Sequence, residues 1–70
     1  MNNVILYHQD GCSQCQMAIL LLNRANIPFT SCKDVNVMKE KGITSPPVLQ
    51  DGTLFCKGVK AINEWIRMRK

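Results

Sequence analysis

Seventy residues, 46% of them hydrophobic, with four cysteines and one tryptophan, set the scale of one small globular domain and exclude two. A chain this short buries only roughly 60% of the surface its unfolded form exposes, so a disulfide, a metal or a partner commonly supplements its core. The longest unbroken apolar run, Met17 to Leu22, falls far below the roughly 20 residues that cross a bilayer, and the N-terminus lacks the basic start and long apolar stretch of a signal peptide. A cytoplasmic chain with no membrane partner is expected.

Nine Lys and Arg against five Asp and Glu give a formal charge of +4, unevenly placed. Residues 1–30 hold only Asp10 and Arg24, whereas Lys57, Lys60, Arg67, Arg69 and Lys70 gather near the end. Such a patch can draw nucleic acid or an acidic protein surface. No aromatic residues are interleaved to stack bases, so a solvated helix face and tail is expected, without a nucleic-acid partner.

The chain shows no internal repeat or long linker, and residues 1–70 read as a single unit. Val4-Ile5-Leu6-Tyr7 is a continuous apolar run, as in a strand buried on both faces, and stops at the turn-like Gln9-Asp10-Gly11. From Cys12 to Ala25 the residues Cys15, Ala18, Ile19, Leu22 and Ala25 recur at steps of three and four, which predicts a helix ended by Asn26 and Pro28. Ile27 to Cys32 is rich in β-branched and aromatic residues and predicts a second strand, completing a βαβ unit. Val35 to Gly42 has room for one helical turn at most, with Gly42 as its stop. Pro47-Val48-Leu49, the turn Asp51-Gly52 and Thr53-Leu54-Phe55-Cys56 predict a β-hairpin. Val59, Ile62, Trp65 and Ile66 then fall at helical spacing, with Lys60, Asn63, Glu64 and Arg67 opposite. The expected fold class is α/β: β-α-β, then β-β-α, with a mixed sheet flanked by helices and a shortened or missing middle helix.

Cys12-Ser13-Gln14-Cys15 sits where the first strand hands over to the first helix. Unpaired N–H groups and the positive end of the helix dipole stabilise an anion there, which favours a Cys12 thiolate. Cys15, one turn further in, is expected to be more buried and less ionised. That asymmetry is what thiol–disulfide exchange uses: an exposed thiolate attacks a disulfide, and its neighbour resolves the mixed disulfide. C-x-x-C in a βαβ context is a specific signal, and C-x-x-C alone is not.

The alternative is a metal or iron–sulfur module using Cys12 and Cys15: half of a zinc site completed by Cys32 and Cys56 or by His8, or a site formed across a dimer. Structural zinc sites use two short knuckles, whereas Cys32 and Cys56 are isolated within predicted strands, where they read as small buried hydrophobes. His8, four residues before Cys12, reads as a loop histidine with no role. Ser45-Pro46-Pro47, entering the third strand, suits either a cis X–Pro bond beside an open strand edge or a plain rigid turn.

Ile5-Leu6-Tyr7 five positions ahead of Cys12, the Cys12-Ser13-Gln14-Cys15 motif, the Pro47-Val48-Leu49 strand and Gly58 before the last helix together resemble the glutaredoxin family of the thioredoxin fold. The likeness is greatest to the NrdH-type glutaredoxin-like redoxins, which reduce ribonucleotide reductase. The resemblance spans nearly the whole chain. It implies an oxidoreductase in which Cys12 attacks, Cys15 resolves and Pro47 is the cis-proline, so that Ser45, Pro46, Pro47 and Gly58 bind substrate. A redox-active Cys12–Cys15 disulfide would be the only prosthetic element, with no metal.

Three features depart from that family. The Val35–Ser45 connection is about ten residues shorter than the family's second helix, leaving one sheet face thinly covered and suggesting a partner or a weak homodimer beside a monomer. Pro46 has no N–H to offer a substrate backbone. Glutathione-using members resemble one another in a Gly-Gly pair followed by acidic residues, whereas Lys57-Gly58-Val59-Lys60 has no acid to hold the glutathione ammonium. A thioredoxin reductase-like flavoprotein or a dithiol is therefore expected as reductant ahead of glutathione, and a disulfide-bearing protein as substrate.

Overall fold

In a computed structural model, which describes residues 3–69, the first apolar run is strand β1 (Val4–Tyr7) and the cysteine motif opens helix α1 (Ser13–Arg24). Strand β2 (Thr30–Cys32), helix α2 (Val35–Glu40), the hairpin β3 (Val48–Asp51) and β4 (Leu54–Lys57), and helix α3 (Gly58–Arg69) follow. The four strands form one mixed sheet in the order β2-β1-β3-β4. β1 runs parallel to β2 and antiparallel to β3, and β3 is antiparallel to β4. None of the described helices is long and apolar enough to cross a membrane. Lys70, the last residue of the basic cluster, lies outside the described residues.

Successive strand residues face opposite sides, and this alternation distributes the core over two layers. Val4, Leu6, Leu49 and Cys56 face α1 and α3, packing with Ala18, Leu22, Ile62, Trp65 and Ile66. Tyr7 and Val48 face α2, packing with Met38 and Ile43 and with half-buried Ile5, Cys32 and Val37. Burial of one such side chain contributes about 1.5–3 kcal/mol, so the α1/α3 layer supplies most of the hydrophobic stability. On the α2 side the Ile5, Gln50 and Phe55 row runs beyond the short helix, and Phe55 stays 37% exposed.

Four boundaries differ from the sequence expectation, three of them through caps and one through the register of a hairpin. The second strand starts at Thr30, not Ile27. Asn26 adopts a left-handed φ of 57°, its N–H bonds the Asn23 carbonyl and the Ile27 N–H bonds the Leu22 carbonyl, so Ile27 closes a Schellman cap on α1. α2 runs for six residues, or about one and two-thirds turns, where one turn at most was expected. The Asp34 carboxylate accepts the Asn36 and Val37 N–H groups at its start. At its end Gly42, at φ 73°, makes a second Schellman cap in which the Ile43 N–H bonds the Met38 carbonyl at 2.8 Å. In the hairpin, Asp51 pairs with Leu54, so the loop is Gly52-Thr53 rather than Asp51-Gly52; Gly52, at φ 62°, takes the left-handed position. Helix α1 likewise spans Ser13–Arg24, with Cys12 and Ala25 as its caps.

Candidate functional site

Cys12 is the N-cap of α1, with an extended backbone (φ −102°, ψ 110°). Its sulfur takes the place of the usual capping oxygen and accepts the Cys15 N–H at 3.1 Å, while its carbonyl accepts the Gln16 N–H at 3.1 Å. The α1 stripe that packs on the sheet also carries Cys15, which is fully buried, whereas Cys12 is half-buried. All four cysteines are free thiols.

Position sets the two sulfurs apart. A hydrogen bond from the Cys15 thiol, followed by the Cys15 and Gln14 N–H groups, draws the Cys12 thiol below its ordinary range against a partial opposing effect of desolvation. Burial pushes Cys15 up, and so does its bond to the Cys12 sulfur; the Gln9 N–H offsets part of this. The two shifts are opposed, so of the two sulfurs Cys12 is the more readily ionised.

The other predicted residues converge on this end of the sheet. Tyr7 pairs with Val48, so the residues before Val48 lie beside the start of the strand-to-helix loop that carries Cys12. The peptide bond between Pro46 and Pro47 is cis, making Pro47 the cis residue, as expected. Pro47 is buried, Pro46 half-buried and Ser45 exposed. The Pro47 carbonyl accepts the Gly58 N–H at 2.9 Å, tying the loop to the start of α3. Gly58 sits at φ 90°, a conformation that a side chain would strain.

Clefts flank the cysteine turn on both sides. One, of about 330 Å³, is lined by Ser13, Gln14 and Met17 of α1 and Val59 of α3. The other, of about 250 Å³, has Gln9, Met38, Ile43, Thr44 and Pro46 in its walls. A larger concavity, about 480 Å³ along Glu64, Arg67 and Met68, lies on the far turns of α3 and contains no nucleophile. Sequence reasoning missed Met17 and Val59 as lining residues. Met17, 48% exposed, falls off the buried stripe of α1, and a large apolar residue on a polar face was the available signal.

Cys32 and Cys56 are not brought to the pair. Cys56 is buried in the α1/α3 layer, where desolvation raises its thiol, and Cys32 packs on the α2 side. The sheet separates them, as their reading as small core residues requires, and the four-cysteine metal arrangement is not formed within the chain. No group of three or more His, Cys, Asp or Glu side chains gathers into a metal site among the described residues. His8 lies in the loop after β1, as expected, but it is buried there: it is 9% exposed, its N–H bonds the Cys32 carbonyl at 3.0 Å, and its Nε2 is enclosed with no partner.

Around the pair the charge is basic. Lys57 and Lys60 flank the start of α3, whose first turn has no acidic residue, and Lys33 is paired with Asp10 at 3.2 Å. The chain is a small α/β protein with a capped, asymmetric dithiol, and neither a scan against family models nor a search of curated proteins finds a match to it.

Proposed function

We propose that this protein is a thiol–disulfide oxidoreductase of the glutaredoxin-like kind, built on a thioredoxin-like fold and acting in the cytoplasm. One observation carries the reading: the Cys12 sulfur, at the start of α1, accepts the Cys15 N–H at 3.1 Å while Cys15 is fully buried. Thiol–disulfide exchange needs a nucleophile that is ionised near neutral pH and a second thiol held in reserve. Cys12 attacks one sulfur of a substrate disulfide and releases the first substrate thiol. Cys15 then attacks Cys12, releasing the second and leaving a Cys12–Cys15 disulfide for a reductant to reopen.

Substrate binding is assigned to Ser45, Pro46, Pro47 and Gly58 together with the Met17/Val59 cleft. Pro46 offers a carbonyl but no N–H, so an extended substrate segment gains one backbone hydrogen bond there instead of two. Lys57 and Lys60 favour substrates carrying carboxylates. The lack of an acid beside them disfavours a site for the glutathione ammonium, so a thioredoxin reductase-like flavoprotein or a dithiol is the proposed reductant. The thinly covered β4 half of the sheet is consistent with a monomer or a weak homodimer working on a disulfide-bearing protein.

Turnover of a model disulfide by purified variants tests this. Cys12→Ser is expected to abolish reduction, and Cys15→Ser to stop at a mixed disulfide on Cys12. Retained turnover in Cys12→Ser would sink the proposal.

A further inference from the structure

Helix α1 carries apolar residues on both of its faces. Cys15, Ala18 and Leu22 turn to the sheet, whereas Ser13, Met17, Leu20 and Arg24 fall at steps of four, three and four along the opposite, exposed side. Met17 is 48% exposed and Leu20 49%. One exposed leucine or methionine is ordinary on a protein surface. These two adjoin on one line, however, and that line begins at the cleft beside Cys12, where Ser13, Gln14 and Met17 form the α1 wall. Packing within the chain is served by the other face, so the outer pair has no structural task.

The charge bordering this line has one sign. From Ser13 to Arg24 the helix has no carboxylate, and Arg24 is its one charged residue. Lys57 and Lys60 stand at the start of α3, on either side of Val59 in the wall of the same cleft. Arg67 is exposed further along α3, whose one acidic residue is Glu64. Among the described residues none of Arg24, Lys57, Lys60 and Arg67 is ion-paired, whereas Lys33 and Arg69 are. An apolar line with a basic border complements an apolar segment bordered by carboxylates. A second copy of the chain would meet it with the same positive border, and like charges disfavour that occupant.

We propose that the outward face of α1 from Ser13 to Leu20 is a docking surface for an acidic segment of the disulfide-bearing protein, one that carries an apolar side chain at a set distance from its cysteine. The proposal rests on the dithiol reading of Cys12 and Cys15 and extends the footprint beyond the cleft to Leu20. Leu20 lies eight residues past Cys12, which is about 12 Å along a helix. An extended segment covers that distance in about four residues. A segment whose cysteine meets the Cys12 sulfur therefore lays its fourth neighbour over Leu20. Met17, an unbranched side chain that adapts its shape, underlies the residues between. Carboxylates next to the segment's cysteine fall within the field of Lys57 and Lys60. Contact at Leu20 selects the partner without touching the reacting sulfurs.

The experiment uses synthetic peptides whose single cysteine is joined by a disulfide to an aromatic thiol that is coloured when released, so colour reports attack by Cys12 on the peptide sulfur. Each peptide has Glu on both sides of the cysteine and either Leu or Ser four positions away, on the N-terminal side in one series and on the C-terminal side in the other. In the wild type the Leu peptide should react faster than the Ser peptide by about fivefold or more in one of the two series. In Leu20→Gln that ratio should fall to near one. Exchanging Glu for Lys should slow the wild type about tenfold at low salt, and about 0.5 M salt should erase most of the difference. Trp65 fluorescence reports whether the variant folds, and the wild-type ratios decide the question if it does not. A wild-type ratio near one in both series, a ratio that survives in folded Leu20→Gln, or Lys peptides that react as fast as Glu peptides overturns the docking surface. A dimer in sedimentation that Leu20→Gln dissolves gives the face to a second copy and overturns it too. Each of these outcomes leaves the dithiol reading intact. Failure of the wild type to reduce any of the peptides, or hydroxyethyl disulfide, overturns both.

Discussion

The two ends of the sheet hold opposite kinds of chemistry. At the end bearing Asp51, polar groups are matched: the Trp65 indole donates to the Asp51 carboxylate at 3.2 Å, and Arg69 lies 4.7 Å over the indole ring and 3.7 Å from the same carboxylate. Nearby, the Tyr7 hydroxyl donates to Gln50 at 2.6 Å, and Gln50 donates to the Gly52 carbonyl at 2.9 Å. At the end bearing Cys12, a sulfur takes a capping position, basic side chains flank a helix start, and one imidazole nitrogen is enclosed without a partner. A 70-residue chain has little stability to spare. Placing the tight polar contacts at one end leaves the other end free to hold groups arranged for reaction.

Substitutions at the two ends should therefore separate activity from stability. The largest effect on activity is expected from Cys12→Ser, which removes the nucleophile and should leave the melting temperature nearly unchanged, since a hydroxyl caps a helix well. The largest effect on stability is expected in the layer joining the ends: Leu22→Ala, at a fully buried site against α3 and the sheet, should cost about 2–5 kcal/mol by urea unfolding. Activity of the molecules that remain folded should persist. Asp51→Ala strands the Trp65 N–H and should cost about 1 kcal/mol, with no change in the rate of Cys12 alkylation. Asp34→Ala, which removes the cap of α2, should cost about 1 kcal/mol or less, α2 being short and exposed at that end. A variant at the Asp51 end that altered Cys12 reactivity while folded would break the division.

Much of the fold was legible in the sequence because its signals are local. The apolar run of β1, the three-and-four spacing of α1 and α3, and the Gly52 turn each specify an element without reference to the rest. α2 was underestimated because its length depends on two caps, Asp34 and Gly42, acting on a segment with only Met38 buried. β2 was overestimated because β-branched composition over Ile27–Cys32 does not reveal that the Ile27 N–H is already committed to the end of α1. At the site, the cysteine motif and Pro47 were legible as residue types. The Met17/Val59 cleft was not, since it exists only once α3 lies against α1. Nor was the enclosure of His8: a single histidine after a strand looks the same in sequence whether it faces water or is buried.

The proposed exchange depends on one asymmetry, a Cys12 thiol drawn down and a Cys15 thiol pushed up. A lowered value leaves Cys12 ionised at pH values where an ordinary thiol, near 8.5, is still protonated. Alkylation of the reduced protein by iodoacetamide across a pH series, with each cysteine quantified by peptide mass spectrometry, reads this directly. Cys12 is expected to be modified first, with a midpoint clearly below that of a free thiol, while Cys15 stays unmodified well above it. A Cys12 that titrates with an ordinary midpoint, or a Cys15 modified in step with it, would contradict this asymmetry.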